Sequence, residues 1–300
     1  MKRISLVSFF VALAAFPGSP NGALADGSRR LIEDAADGQL DEFTLVEAAL
    51  IAGATTESPA MANARFDRLA CELQQACKGS DSDLIRVKVA FKLLQERVLS
   101  GQFNPECFCI QKTLDHGEFN CLTATIIFQC LCRQVGLPVV AIASDSHIYC
   151  RLLGKETADI ETTCPNWFDS TESKLAQTGL AGLEVSDVKA VARIYYNRGI
   201  VEAHRGRFAD AVCCLKSSIR LDGSFEPAVR NLLAAYNNWA ISLCHDERFD
   251  EAAAMIMQAK SIAPDRASVL YNEQYIRQKW AEFVKANQHL PRVTSSPQPR

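Results

Sequence analysis

Past its N-terminus the 300-residue chain has no apolar run of transmembrane length, so the body of the molecule is not expected to cross a membrane. It has no excess of positive charge. Lys and Arg number 32 against 35 Asp and Glu, a net charge of −3, which argues against a polyanion-binding surface or a polybasic membrane patch. Aromatic residues make up only 8% and form no stripe with basic residues, so nucleic acid is not an expected partner. Histidines number five, and the 12 cysteines include no C-x-x-C pair. A zinc site is therefore not expected, and no other metal or organic cofactor is implied.

What is present begins with a charged start, Lys2 and Arg3, and an apolar stretch, Ile4–Phe16, too short to span a bilayer comfortably. Pro17–Gly22 breaks that stretch, and Ala23-Leu24-Ala25 is an A-x-A cleavage pattern. Residues 1–25 read as a secretory signal, with Asp26 as the mature start. No cysteine follows the cleavage point, so a lipid anchor is not expected. The expectation is export to the periplasm or the extracellular space, with no stable membrane insertion after cleavage.

The remaining length suits two modules. Residues 29–100 carry helical patterns. Phe43, Val46, Ala49 and Leu50 share one helix face and Gly53 ends it. Ser58-Pro59 starts a second helix that buries Phe66, Leu69, Leu73 and Ala76. Ser80–Asp83 caps a third, with the stripe Leu84, Val87, Phe91, Leu94 and Val98. These stripes are core positions, and the block is a helical platform. A loop, Gly101–Glu118, then leads to the stretch that organises the chain.

That stretch is Gly117–Thr163. Cys121 opens a helical stripe of Leu122, Ile126, Ile127, Cys130 and Leu131, which Gly136 and Pro138 end. Val139–Ala143 is a short, buried strand, His147–Leu152 a second, and Ala158–Thr163 a third after a turn at Gly154-Lys155. A thiol at the first turn of a helix lies near unpaired N–H groups and the positive end of the dipole, an environment that favours thiolate and can face an oxyanion. A nucleophile also needs a base and a group to orient it. His147 is the candidate base. Asp159 is the first candidate to hold the imidazole, and Glu161, of the same face parity, is the second.

These pieces resemble the core of the transglutaminase-like cysteine hydrolases, a branch of the papain-like superfamily. The matching residues are Asn120-Cys121 before a helix, the Gly-Leu-Pro-Val exit at Gly136–Val139, the His147 strand, and Asp159 in the run Asp-Ile-Glu-Thr-Thr. The likeness covers roughly residues 84–170 and implies a Cys121–His147–Asp159 triad. Bacterial members often carry tetratricopeptide repeats behind the core.

The other cysteines read mostly as small buried apolar residues. Pairing of Cys107 or Cys109 with Cys164 or another loop cysteine stays open, because spacing does not assign connectivity. His116 reads as a solvated loop residue.

Residues 171–186 are a polar linker between modules. Beyond it, Arg207–Ala211 returns as Arg248–Ala252, 41 residues later. Tyr195, Gly199, Phe208, Ala211 and Leu215 occupy the spacing of a tetratricopeptide repeat, and Ala240, Phe249, Ala252, Ala259 and Pro264 that of a second. Small residues let paired helices approach, and a helix over Ala267–Lys285 caps the stack. Tyr196, Asn237, His204 and His245 would face the inner side of a groove. The tail 287–300 reads as disordered.

The expected fold is α+β: residues 26–170 form a helical platform with a small antiparallel sheet on the cysteine-bearing helix, and residues 187–286 form a short all-α solenoid. The expected function is thiol-dependent acyl hydrolysis of a peptide or amide, with a peptide or protein as substrate or partner. The alternative is a binding or assembly protein that does not use the cysteine for catalysis, and a third, weaker one is a redox-responsive protein.

Overall fold

The computed structural model describes residues 22–54, 59–144, 147–166 and 182–287. The fold is α+β, mostly helical with one small antiparallel sheet of four strands. The expected signal, residues 1–25, lies mainly outside the described residues. Its predicted cleavage point, Ala25–Asp26, falls inside a helix, α1 (Gly22–Asp34). Of the tail, only Asn287 is described, as the end of the last helix.

Six helices, α1 among them, build the first layer around one core. α2 (Leu45–Gly53) starts at Thr44, whose side chain accepts from the Glu47 N–H while Glu47 reaches back to the Thr44 N–H, a reciprocal cap. α3 (Pro59–Ala76) and α4 (Asp83–Leu93) follow, the latter capped by Ser82. The chain continues from α4 into a wider π-helical turn, Leu94–Val98. α5 (Ile110–His116) and α6 (Cys121–Gln134) complete the set. Leu31, Phe66, Leu73, Phe91, Leu94, Ile126 and Phe128 are buried together. Each such side chain contributes about 1.5–3 kcal/mol when fully removed from water. The stripes read from spacing face this core, because period 3.6 leaves only that face apolar, except that Ala76 is exposed and Cys77 is buried in its place.

The sheet runs in the order β3-β2-β1-β4: β1 (Val139–Ala143), β2 (Ile148–Leu152), β3 (Ala158–Ile160) and β4 (Leu183–Val185). Its neighbours all pair antiparallel. α6 lies against β1 and β2. Val139, Ala141, Cys150, Leu152 and Ile160 are buried in the core they share.

The structure revises the expected linker at 171–186. Its last residues are strand β4, where Leu183 pairs with Ala143 and Val185 with Ala141. The following helix, α7 (Asp187–His204), puts Val188, Val191, Ile194 and Tyr195 into the first core. Arg133 at the end of α6 holds Asp187 with two bonds of 2.5 and 2.7 Å, and Arg198 donates to the Ala52 carbonyl at 3.2 Å. A polar, Gly-containing composition signals a loop, but buried Val185 and Val188 carry the packing through its end.

The rest is a stack of helices: α8 (Phe208–Leu221), α9 (Glu226–His245), α10 (Phe249–Ile262) and α11 (Ala267–Asn287). Short turns join α7 to α8 and α9 to α10, so each pair is a helical hairpin. A second core contains Leu215, Leu232, Tyr236, Leu243, Ile256, Val269 and Ile276. Close approach explains the small residues. A Cβ on Gly199 would sit 2.8 Å from Leu215 Cγ, and Ala211, Ala240, Ala252 and Ala259 are 0% exposed. Phe249 stacks with Trp280 at 6.1 Å, fastening α11 over the end. Asn237, expected on a groove face, is instead buried, where its Oδ1 accepts from Asn272 at 3.1 Å. No helix among the described residues is long and apolar enough to cross a membrane.

Candidate active site

Cys121 is the first residue of α6, and the local sequence fixes its setting. The Asn120 side chain accepts from the Thr123 N–H at 2.9 Å, while Thr123 Oγ1 accepts from the Asn120 N–H at 3.1 Å. This capping box satisfies the third helical N–H. The N–H groups of Cys121 and Leu122 have no intrahelical acceptor, as the start of any helix requires. The loop ahead of Cys121 is gripped from the side. Gly101 donates to the Gly117 carbonyl at 3.1 Å and Asn104 to that of Phe119 at 2.8 Å. A Cβ on Gly117, whose φ is 70°, would lie 2.5 Å from the Gly101 nitrogen, so this crossing needs glycine.

Thr125, one turn further along α6, donates to the Ile148 carbonyl at 3.4 Å. That bond ties the first turns of the helix to the start of β2, next to His147. The Cys121 side chain lies beside the His147 ring, close enough to act on its charge. Its Nε2 donates to Glu161 Oε2 in a short contact. With Nε2 engaged, Nδ1 is the ring nitrogen left for the thiol. Glu161 is held in turn. Its Oε1 accepts from the Thr163 N–H at 3.1 Å and from Thr163 Oγ1 at 2.6 Å. The neighbouring Thr162 is 0% exposed, with Oγ1 3.3 Å from Thr125 Oγ1 and its carbonyl accepting from Gln95 at 2.7 Å. Gln95 belongs to the π-helical turn after α4, a kind of local irregularity often found near functional sites.

The electrostatics follow from these contacts. The Cys121 sulfur first, and the Glu161 carboxylate second, push the His147 pKa up to about 10 against the opposing effect of burial. For Glu161, burial alone would raise the pKa. The bonds from His147 and Thr163 outweigh it and bring the carboxyl below its ordinary value. The imidazole is thus held as a cation between two groups that favour its charged form.

Of the predicted site residues, Cys121 and His147 come together and Asp159 does not join them. Asp159 accepts from Arg151, Oδ1 from Nε at 2.5 Å and Oδ2 from Nη2 at 3.0 Å. Register is the reason. β2 and β3 pair with Arg151 opposite Asp159 and Cys150 opposite Ile160. At ~3.3 Å per residue, Asp159 lies level with a point about 13 Å along β2 from His147. Continuing the register puts Glu161 opposite Tyr149, a diagonal neighbour of His147 within reach of a long side chain. The turn at Gly154-Lys155 carries the signal that separates the two carboxylates. Folding the hairpin with Lys155 at its centre puts Asp159 opposite Arg151 and Glu161 opposite Tyr149, so Glu161 is the nearer to His147. Tyr149 and Arg151 beside the site have no signal of their own in the sequence beyond that same register. His116 is exposed at the end of α5.

Cys121 differs from the chain's other thiols. All twelve cysteines are free, and eight of them, Cys77, Cys107, Cys109, Cys130, Cys132, Cys150, Cys214 and Cys244, are buried. Burial pushes each of these eight up, Cys130 and Cys214 to about 12, so they stay protonated at neutral pH. Cys107 donates to the Glu118 carbonyl at 3.3 Å rather than pairing with Cys164. Only Cys121 and Cys164 are partly exposed and only Cys71 and Cys213 fully so. Among the described residues no three His, Cys, Asp or Glu side chains converge as metal ligands.

No protein-family model matches the chain, and no curated protein matches it at a significant level. Among solved structures, a crystal structure of menin that reveals its binding site for the Mixed Lineage Leukemia protein is similar at 13% identity. It has a TM-score of 0.38, with 91% of this chain and 79% of that one covered. A likeness that distant carries no conclusion about this chain.

Proposed function

We propose that the chain is a thiol-dependent acyl hydrolase, a peptidase or amidase with a core of the transglutaminase-like type. The reading is carried by the His147 ring, which bonds the Glu161 carboxylate and has the Cys121 sulfur beside it. Cys121 is the nucleophile, His147 the proton carrier, and Glu161, in place of Asp159, the group that orients it. The Cys121 thiolate adds to the carbonyl carbon of a peptide or amide, and the carbonyl oxygen becomes an oxyanion. The N–H groups of Cys121 and Leu122 are the donors available to that oxygen. As the C–N bond breaks, His147 gives its proton to the leaving nitrogen. A water then loses a proton to the neutral imidazole and adds to the thioester, and the C–S bond breaks to release the acid. The chemistry needs no metal or organic cofactor.

The hairpins α7–α8 and α9–α10, in the same proposal, are tetratricopeptide-type repeats that bind a peptide or protein, and the protein is exported after loss of an N-terminal signal. The small residues at Gly199, Ala211, Ala240 and Ala252 support the repeat reading.

The test is the rate at which iodoacetamide alkylates Cys121 in the folded chain, followed against pH by mass spectrometry. The parent should react fast at neutral pH, and faster at Cys121 than at the chain's other cysteines. Cys121→Ala should remove the fast-labelled site without a large change in melting temperature. His147→Ala should slow Cys121 at neutral pH by at least about tenfold, since the thiolate loses its counter-ion. A parent profile that follows an ordinary thiol and ignores His147 would remove the enzyme and leave the binding or assembly protein.

A further inference from the structure

We propose that Tyr149 is a positioning residue for His147, and that the Arg151–Asp159 pair in turn holds Tyr149. The inference rests on the thiol-hydrolase reading above and concerns how its imidazole is kept in place.

Glu161 fixes one nitrogen of the ring, but a single bond leaves the imidazole free to swing about it, and the last side-chain torsion of a histidine is soft. The Tyr149 ring supplies the missing constraint. The two rings lie 6.3 Å apart between centroids and within 18° of parallel, an offset stack along β2. Tyr149 is itself 4% exposed. Its hydroxyl accepts from Arg151 Nη2 at 3.3 Å. Arg151 is then locked by the two-bond grip of Asp159, directly opposite it in the β2–β3 register. The row runs Asp159, Arg151, Tyr149, His147, each member touching the next. It ends on the ring that meets Cys121.

The row has an electrostatic side as well. The groups facing His147 are the Cys121 sulfur from α6, the Glu161 carboxylate beyond β3, and the Tyr149 ring on β2. A cation beside the face of an aromatic ring is favoured. Arg151 would oppose a second positive charge on the same strand, and Asp159 neutralises it. Asp159 therefore contributes to the site at two removes, through Arg151 and Tyr149, without touching the imidazole.

The experiment uses the full chain and two readouts: the pH profile of Cys121 alkylation by iodoacetamide, and the NMR titration of the His147 ring, assigned by its loss in His147→Ala. Tyr149→Leu should slow alkylation at neutral pH by about threefold to tenfold and move the His147 midpoint to lower pH. Tyr149→Phe keeps the ring and should recover most of the rate. Asp159→Asn, on the partly exposed side of the sheet, should shift the midpoint in the same direction, less than Tyr149→Leu, and Arg151→Gln should slow alkylation less than Tyr149→Leu; they carry the test if Tyr149→Leu does not fold. Loss of melting temperature in Tyr149→Leu with an unmoved His147 midpoint and pH profile would overturn the proposal, leaving Tyr149 a packing residue. Equal effects of Leu and Phe would overturn the role of the ring. His147→Ala separates the two levels. If it leaves the alkylation profile unchanged, the hydrolase reading itself fails; if it changes the profile and Tyr149→Leu does not, only the positioning role fails.

Discussion

Around Cys121 the buried side chains include Asn120, Thr123, Thr125 and Thr162, and several of their bonds reach far along the chain. Thr125 bonds across 23 residues to Ile148 and across 37 to Thr162, and Gln95 across 67 to Thr162. From α8 to α11 the core is mostly apolar, with buried Asn237 an exception, and many of its ion pairs are local, such as Arg248 with Glu251 and Arg277 with Glu273, three and four residues apart. The first region is specified by pairing between distant segments, the second by spacing along one segment. A buried polar group without its partner is costly, so the first arrangement tolerates only one register, whereas close-packed helices tolerate any sequence of the right sizes.

The sharpest break in that comparison is at Glu161. Glu161→Gln should lower Cys121 alkylation at neutral pH by about tenfold or more, well beyond the effect of Asp159→Asn. If the two variants rank the other way, the register argument fails. The pH dependence has a definite sign. His147 is raised, so its stabilising contribution is complete below the ordinary imidazole value of about 6.5 and is lost as pH rises through about 10. Glu161 is lowered, so its contribution is present above the ordinary carboxylate range and is lost as pH falls through its folded value. The melting-temperature gap between the parent and Glu161→Gln should therefore be widest from about pH 5 to about pH 6.5 and shrink on both sides.

The stack gives a smaller effect. Ala211→Leu or Ala252→Leu forces a larger side chain between helices that leave none of the alanine exposed. Each should cost about 1–3 kcal/mol in denaturant unfolding, while Cys121 alkylation of the folded fraction stays at the parent rate. Parent-like unfolding in both would mean that the helix pairs are looser than their packing indicates. The smallest effect belongs to the exposed thiols. Cys71→Ser and Cys213→Ser should stay within about 0.5 kcal/mol of the parent and leave the fast phase of alkylation untouched.

The same contrast governs what the sequence reveals. Helical stripes such as Val87, Phe91, Leu94 and Val98, and the strands at Val139–Ala143 and Ile148–Leu152, follow from period alone. So do the small residues at Gly199 and Ala252. β4 at Leu183–Val185 is hidden, because three residues in a polar stretch have too little pattern to stand out. At the site, parity places Asp159 and Glu161 on one face but does not choose between them. The choice needs the pairing of β2 with β3, and only the hairpin turn holds that information. The bonds of Gln95 and Thr162 are invisible at any level short of three dimensions.

The unpaired thiols described above set the terms on which this molecule can persist. Folded, eight of them are sealed away and protonated, and so are poor partners for an oxidant. Unfolded, all twelve become available at once, and any oxidising medium can cross-link the open chain in many wrong ways before it closes again. Survival in such a medium is then governed by how rarely the structure opens, not by how favourably it closes. The cysteines that do no chemistry turn every opening into a wager on the speed of refolding.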